Sequence, residues 1–297
     1  MSDAKPDRKV PPEGTSAGNR APAHPRTGAA SLRPFIWLRR AFMLLVPLYL
    51  LAPIVVILGV SLNQRKVLFF PPQGLSLAWY REFFQDPTWS QPAINSLVIA
   101  LFAGLVAISI ALPLAYAAWR YRVRYAGLLT GLGLAPFALP PVITALGALV
   151  LWIMLQSYGK PYSVVLSHGV FLTTLPLATI TLGLQTLKPE LVEAARTMGA
   201  AGGAVFRTVI LPHIRPYVIA GFTFAFVLSL NEYIIAYMTV GFTVETLPVK
   251  IFNSLRYGYS PVMAAISFLF FLVAVVLFGV VGRVGDLPRL LGADAKE

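Results

Sequence analysis

Long runs of apolar residues constrain this chain more than any other feature of its sequence. Six runs are long enough to cross a bilayer as α-helices, because roughly 20 residues at about 1.5 Å each cover a hydrocarbon core about 30 Å thick. They cover residues 42–62, 93–119, 128–155, 162–184, 217–240 and 261–281. The sequence therefore predicts an all-α, polytopic membrane protein with six transmembrane helices in one domain over residues 35–290.

The overall composition agrees with a membrane protein. Of the 297 residues, 57% are hydrophobic and 12% are charged, a balance typical of a chain whose main solvent is lipid. A formal net charge of +12 is also found in nucleic-acid-binding proteins, but the positive-inside rule produces the same excess in loops between apolar runs. We therefore expect contact with membrane lipid and no nucleic-acid partner.

Prolines and aromatic residues indicate irregular features within this plan. Pro140 and Pro141 lie inside the third run and Pro176 inside the fourth, so neither run is expected to form one straight helix. Between the first two runs, a segment with aromatic residues at helical spacing begins near Leu77. It predicts a short helix that either lies along the membrane surface or packs on the end of the bundle.

The distribution of basic residues predicts the orientation. Residues 1–34 are rich in proline and polar residues, and we expect a disordered cytoplasmic tail followed by an uncleaved first helix. Eighteen of the 24 lysines and arginines lie on the side that holds both termini and the loop 185–216, and six lie on the other side. The positive-inside rule therefore makes both termini and this loop cytoplasmic.

The loop 185–216 predicts a short helix that projects from the membrane. Pro189 suits the first helical position, and the acidic residues that follow it oppose the positive end of the helix dipole. Leu191, Ala194, Ala195 and Met198 are expected to form one apolar stripe. Gly199, Gly202 and Gly203 are expected to end this helix.

Six residues of this loop stand at the spacing of a known motif: Glu193, Ala194, Ala195, Gly199, Leu211 and Pro212. The spacing resembles the cytoplasmic EAA loop of the membrane subunits of ATP-binding-cassette (ABC) importers. That loop reads EAA, three residues, glycine, nine residues and Ile-x-Leu-Pro, and Val209 stands here at the isoleucine position. The alternative is an amphipathic loop helix that only covers the inner end of the bundle.

The resemblance implies a type I importer permease in a bacterial inner (plasma) membrane, with the six motif residues coupling it to an ATPase. It also implies partners: two copies of a cytoplasmic ATP-binding subunit, a second permease subunit and an extracytoplasmic solute-binding protein. The chain would then work by alternating access. An ion- or proton-coupled secondary transporter is the alternative from another class, and a membrane scaffold without transport activity is a third.

The sequence predicts no catalytic, cofactor-binding or metal-binding residues in this chain. It contains no G-x-x-x-x-G-K-[ST] run, so a Walker loop for ATP is absent, and we expect a transport subunit rather than an enzyme. It contains no cysteine, and the three histidines, His24, His168 and His213, are too far apart for a metal-ligand spacing. Each histidine is expected in a loop or at the membrane interface.

A second candidate site, Asn231-Glu232-Tyr233, lies inside the fifth run. At about 1.5 Å per residue from Pro216, Glu232 is expected in the outer half of the membrane. A carboxylate there costs about 2.5 kcal/mol or more when it faces lipid, so it should face the bundle interior or a water-filled path. It would then either line the path of a cationic solute or pair with a neighbouring helix of the partner subunit.

The region around this second site has a resemblance of its own. The segments 229–232, 247–250 and 256–261 resemble the spermidine/putrescine-type permeases. Asn231 stands where that pattern has a carboxylate, so opines or other amines stay open as solutes beside polyamines. The resemblance implies that a small solute of the amine or polyamine type moves past Asn231, Glu232 and Tyr233.

Overall fold

The computed structural model of the protein describes residues 33–121, 125–241 and 243–284. The chain divides into two units, residues 1–51 and 52–297, and both candidate sites belong to the second unit. Residues 1–32 of the predicted disordered tail lie outside the described residues. Its last two residues, Arg33 and Pro34, belong to the first helix. Also outside are His24 and residues 285–290 of the predicted domain.

Helices account for most of the described residues. In chain order they are α1 (Arg33–Ser61), α2 (Ala78–Gln85), α3 (Pro87–Tyr121), α4 (Ala126–Ala138), α5 (Pro141–Met154), α6 (Pro161–Leu172), α7 (Thr174–Gln185), α8 (Pro189–Thr197), α9 (Gly202–Val205), α10 (Leu211–Asn231), α11 (Ile234–Val240), α12 (Leu247–Tyr257) and α13 (Val262–Val284). A π-helical turn, Phe206–Ile210, joins α9 to α10.

The helices provide the six predicted spans. α1, α3, α13 and the continuous stretch Gly202–Asn231 are each long and apolar enough to cross a membrane. Two bent pairs, α4 with α5 and α6 with α7, bring the number within the described ranges to six when each pair counts as one span. The predicted all-α, six-span fold is thereby confirmed.

The two bends occur at prolines that the sequence singles out. α4 and α5 meet at 103°, and Pro141 begins α5 at a position where its missing N–H interrupts no hydrogen bond of that helix. α6 and α7 meet at 43°. Pro176 has no N–H for the carbonyl of Leu172 four residues earlier, and α6 ends at Leu172.

Close contact between helix backbones builds the centre of the bundle, where α10 packs against α3 and α7. A stripe of alanines along α3, at intervals of three or four residues, is at most 1% exposed: Ala100, Ala103, Ala107, Ala111 and Ala115. Small residues let helices approach closely in a membrane. On α10, a Cβ added at Gly221 would lie 2.7 Å from the Cα of Pro176 in α7.

The short helix α2 packs on the bundle, which is the second of the two arrangements expected for this segment. Trp79 and Phe83 are buried, and they pack with Trp89 and the first turns of α13. The indole N–H of Trp79 donates a 2.6 Å hydrogen bond to the carbonyl of Asn63. Arg81 and Gln85 of the same helix are exposed, so α2 is amphipathic.

The region after the cytoplasmic loop differs from the sequence prediction in two ways. The fifth run does not form one helix over 217–240, because α10 ends at Asn231 and α11 begins at Ile234. α12 occupies an interval for which the sequence predicts no helix. Its start is fixed to α3, where the hydroxyl of Ser96 accepts a 2.8 Å hydrogen bond from the Leu247 N–H.

Candidate functional site

The first candidate site is α8, which has an inner face packed on the bundle and an outer face open to solvent. Val192 and Ala195 are each 7% exposed and pack in one cluster with residues of α3, α7 and α10. On the outer face, Leu191 is 51% and Met198 is 81% exposed, and Ala194 is exposed between them. The predicted apolar stripe is therefore divided, because Ala195 belongs to the inner face.

Gly199 ends α8 through its backbone conformation. Its φ of +84° lies in the left-handed region, which residues with a Cβ rarely adopt. Its N–H donates to the carbonyl of Arg196 at 2.9 Å, and the N–H of Ala200 donates to that of Ala195 at 3.1 Å, the pair of bonds of a Schellman motif. The other two glycines were assigned wrongly from sequence, because Gly202 and Gly203 begin α9.

The end of the motif anchors the loop to the bundle. Ile210, which the motif leaves unspecified, is 1% exposed and lies in the same buried cluster as Val192 and Ala195. Leu211 packs against this cluster from the first turn of α10, and Pro212 beside it is exposed. The structure therefore brings the two halves of the motif to one buried cluster and leaves Glu193 and Ala194 on the surface.

A cleft of about 520 Å³ lies between α8 and the end of α3. Its polar lining includes Glu193 and Arg196 of α8 and Arg120 of α3. Close to it, the rings of Tyr116 in α3 and Phe206 in the π-helical turn meet edge to face at 5.1 Å. The π-helical turn is thus in contact with α3 beside this cleft.

The second candidate site lies at the break in the fifth span. Glu232 has extended backbone angles, φ −76° and ψ 123°, and its side chain turns toward the start of α11. The carboxylate accepts hydrogen bonds from the N–H groups of Ile234 and Ile235 at 2.9 Å and of Ala236 at 3.1 Å. It therefore caps the first turn of α11, whose N–H groups have no partner within that helix.

The carboxylate also binds a histidine from another span. Nε2 of His168 in α6 lies 3.0 Å from Oε2 of Glu232, and Nδ1 lies 2.8 Å from the hydroxyl of Ser229. The side chain of His168 is 1% exposed and that of Glu232 is 10% exposed. Since both oxygens of Glu232 already accept backbone N–H groups, the Nε2–H is the donor in this pair.

The prediction for His168 was wrong, since the residue lies in the interior of a span and not in a loop or at the interface. An intramembrane carboxylate needs a partner, and a histidine within the fourth run was the signal in the sequence for one. Glu232 thus has a partner within this same chain. Of the other histidines, His213 is exposed and lies 3.1 Å from the hydroxyl of Thr186.

The residues on either side of Glu232 line a cavity of about 520 Å³ between the end of α10, α12 and α13. Asn231 is exposed at its wall, and its amide donates to the carbonyl of Val227 at 2.8 Å. The ring of Tyr233 lies 4.6 Å from that of Phe252 in α12. The cavity thus combines aromatic faces with an amide, and the carboxylate of Glu232 is not among the groups that line it.

This lining determines what the cavity can bind. Aromatic faces attract cations through the quadrupole of the ring, and an amide oxygen accepts hydrogen bonds from ammonium groups. No group of three or more histidine, aspartate or glutamate side chains that could hold a metal ion occurs in the part of the chain that the structure describes. The described lining thus offers aromatic faces and an amide within a largely apolar wall.

Comparison with known proteins identifies relatives over most of the chain. Residues 107–286 match the family described as binding-protein-dependent transport system inner membrane component. The spermidine/putrescine transport system permease protein PotC of Haemophilus influenzae is 30% identical over 81% of this chain and 93% of its own length. The putrescine transport system permease protein PotI of Escherichia coli is 31% identical over 87% of this chain and 92% of its own length.

Solved structures have the same fold. A bacterial ABC transporter involved in the import of the acidic polysaccharide alginate is similar with a TM-score of 0.65, at 16% identity, over 86% of this chain and 98% of that one. An inward-facing conformation of the MetNI methionine ABC transporter is similar with a TM-score of 0.56, at 16% identity, over 71% of this chain and 97% of that one. The fold is thus that of type I ABC importer permeases.

Proposed function

Since the chain belongs to the family of binding-protein-dependent transport system inner membrane components, we propose that it is the permease subunit of an ATP-driven ABC importer. It moves a small solute of the amine or polyamine type into the cytoplasm. It is a multi-pass protein of the bacterial inner membrane, with both termini in the cytoplasm. The chain itself is a transport subunit and not an enzyme.

The observation that carries this proposal is the two-faced helix α8. Its inner face belongs to the central cluster of the bundle, and its outer face presents Leu191, Ala194 and Met198 together with Glu193. A short helix with small and apolar residues outward fits a groove on another protein. The partner is a cytoplasmic ATP-binding subunit, because the chain has no Walker loop of its own.

The complete importer contains two copies of that ATP-binding subunit and a second permease subunit beside this one. An extracytoplasmic solute-binding protein delivers the solute to the outer side. ATP-driven closure of the two ATP-binding subunits displaces α8 and exchanges inward-open for outward-open arrangements of the permease pair. In this scheme Gly199 and the Leu211-Pro212 end fix the direction in which α8 projects.

The cavity beside α12 supports an amine as the solute. Tyr233 and Phe252 provide aromatic faces for a cationic group, and Asn231 provides an amide. The path therefore runs past the segment Asn231-Glu232-Tyr233. The curated relatives are described as permeases for spermidine and putrescine, and this description supports the same solute class for this chain.

Reconstitution tests the proposal. The chain, its ATP-binding subunit, the second permease subunit and the solute-binding protein are purified together and placed in liposomes that contain ATP. We expect ATP-dependent uptake of labelled putrescine or spermidine, and none without ATP or without the solute-binding protein. Uptake that persists without ATP and follows an imposed proton or sodium gradient would instead identify a secondary transporter. ATP-dependent uptake of other solutes only would reject the amine assignment.

A further inference from the structure

We infer that Glu232 and His168 form a positioning device that holds the break between α10 and α11, so that Asn231 and Tyr233 face the cavity. The carboxylate of Glu232 acts through the backbone and does not contact the solute. The inference rests on the proposed function only in treating this cavity as part of the solute path. The arrangement of the break itself follows from contacts within the chain.

The hydrogen bonds of Glu232 leave its carboxylate no free acceptor for a solute. Oε1 accepts from the N–H groups of Ile234 and Ile235, and Oε2 accepts from Ile235, Ala236 and the imidazole of His168. An ionised carboxylate offers about four lone-pair sites, and five contacts already share them. An ammonium group would have to displace a backbone N–H or the imidazole before it reached either oxygen.

The break needs such a cap because of where it lies. The first N–H groups of any helix have no partner in that helix, and water usually satisfies them when a side chain does not. Inside a membrane each unsatisfied group costs several kcal/mol. Tyr233, the residue before α11, provides no side-chain cap of its own, so the carboxylate of Glu232 takes that role.

His168 fixes the break to a neighbouring span. Its Nδ1 contacts Ser229 in the last turn of α10, and its Nε2 contacts the carboxylate that caps α11. The carbonyl of Ser229 also accepts the N–H of Glu232 at 3.3 Å. One imidazole in α6 therefore contacts the end of one helix and the cap of the next. Its bond to the capping carboxylate is the contact that sets the angle at which the two residues beside Glu232 project.

Two substitutions at position 168 separate the two contacts of the imidazole. The terminal nitrogen of glutamine reaches about as far as Nε2, so His168→Gln keeps a donor for Glu232 and loses the contact with Ser229. The nitrogen of asparagine reaches only about as far as Nδ1, so His168→Asn has the opposite effect. If the bond to Glu232 positions the break, His168→Gln should behave like the natural chain and His168→Asn should not.

The position of Asn231 can be read directly, because the chain contains no cysteine. An Asn231→Cys variant of the complete, reconstituted complex is labelled with a cationic methanethiosulfonate reagent in the absence of solute, and the labelling of this chain is measured by mass spectrometry. We expect His168→Asn to change the labelling rate roughly tenfold or more, because a hydrogen bond to a charged group is lost. His168→Gln should leave the rate within about twofold of the control.

Transport kinetics distinguish positioning from direct contact with the solute. A positioning role predicts that His168→Asn raises the KM for putrescine, because Asn231 and Tyr233 no longer face the cavity together. If Glu232 bound the solute, His168→Asn would free the carboxylate and lower the KM for putrescine instead. Equal labelling rates in the two variants, a lower KM in His168→Asn, or the reverse order of the two variants would each overturn the inference.

The labelling experiment distinguishes failure of this inference from failure of the proposed transport function. Because labelling is measured without solute, the order of the two variants is informative even if the importer carries no amine. Should His168→Asn prevent assembly, Ser229→Ala and Glu232→Gln replace the pair, since Ser229→Ala removes only the Nδ1 contact. We then expect Ser229→Ala to label like the control and Glu232→Gln to differ, and equal labelling would reject the positioning role.

Discussion

His168 and Glu232 are 64 residues apart in the sequence, and Nε2 of one lies 3.0 Å from Oε2 of the other. The pair joins α6 to the junction of α10 and α11 inside the bundle. The two ionisable side chains bind each other, and the remaining contacts are backbone N–H groups for Glu232 and the hydroxyl of Ser229 for His168. Removal of either side chain leaves the other buried without its partner. The strength of the interaction can therefore be measured by mutation.

The energetic coupling of this pair can be measured with a double-mutant cycle. His168→Ala should lower the free energy of unfolding by about 3 kcal/mol, because it leaves a buried carboxylate without its partner. Glu232→Ala should be more severe, since it also removes the cap of α11, and the double variant should lose little more than Glu232→Ala alone. Thermal unfolding in detergent measures these differences. The control combines Glu232→Ala with Asp86→Ala. The Asp86 carboxylate hydrogen-bonds to Thr88 and not to the partners of Glu232, so additive losses are expected.

The outer face of α8 should tolerate no large charged side chain if it docks on a partner. Ala194→Arg, alone or with Glu193→Lys, is expected to abolish co-purification of the ATP-binding subunit while the chain itself still inserts and folds, because Ala194 is exposed. Tyr125→Arg is the control, because Tyr125 lies in another loop and its side chain is 61% exposed. Retention of the ATP-binding subunit by the Ala194→Arg variant would reject α8 as the docking helix.

Substitution of Gly199 should be harmful because of its positive φ, which nearby Gly203 does not have. Gly199→Ala forces a side chain into a left-handed conformation and should destabilise the end of α8 by about 1 kcal/mol, which uncouples ATP hydrolysis from uptake. Gly203→Ala is the matched control, since Gly203 is helical and a Cβ there meets no atom within 4 Å. The ratio of ATP hydrolysed to solute imported measures coupling. An equal ratio in both variants would contradict this role of Gly199.

The contact between α10 and α7 should depend on the absence of a side chain at position 221. Gly221→Ala places a Cβ 2.7 Å from the Cα of Pro176, a backbone atom that cannot rotate away. We expect a loss of about 1–3 kcal/mol, measured by thermal unfolding in detergent. Gly279→Ala on α13 should cause no loss, because nothing lies within 4 Å of the added Cβ. An unchanged unfolding temperature in the Gly221→Ala variant would mean that α7 and α10 can move apart at little cost.

Asp86 should give the junction of α2 and α3 a pH-dependent stability. Hydrogen bonds from the backbone N–H and then the hydroxyl of Thr88 lower the pKa of its carboxyl below the usual value. A lowered pKa in the folded state stabilises the fold above the unfolded pKa, and that stabilisation is lost as the pH falls through the folded value. Asp86→Asn should therefore lower the unfolding temperature at neutral pH, and this effect should shrink as the pH falls through the folded pKa of Asp86. A constant difference at all pH values would contradict this explanation.

The cavity beside α12 can be tested with the solute. Tyr233→Leu removes an aromatic face and should raise the KM for putrescine several-fold, whereas Tyr233→Phe keeps the ring and should change it little. Asn231→Asp introduces a carboxylate at the cavity wall and should lower the KM for a dication, because opposite charges attract. Uptake kinetics in liposomes measure both effects. Equal KM values for Tyr233→Leu and Tyr233→Phe would exclude a ring contact with the cation.

The coarse architecture could be predicted from the sequence because the bilayer imposes a length and a polarity on every span. Apolar runs located the six spans, and prolines located both bends. The direction of single side chains could not be predicted in the same way. Ala195 and Ala194 are adjacent in an apolar stripe, yet only the packing of α8 on the bundle decides which of them faces inward.

The break at Glu232 was hidden for a related reason. Residues 217–240 have the composition of one continuous span, and neither glycine nor proline marks the interruption. The helix stops because the carboxylate offers the next N–H groups a better acceptor than the preceding turn does, and because His168 holds it there. Such a stop depends on a contact between distant residues, and local sequence patterns do not report it.

The cluster beneath α8 has a mechanical consequence. Val192 and Ala195 of α8 share it with Ala111 of α3, Ile180 of α7 and Ile214 of α10. Close-packed side chains compress very little, so a displacement of α8 cannot be absorbed where it is applied. We therefore expect a push on α8 to reach all three spans that share the cluster.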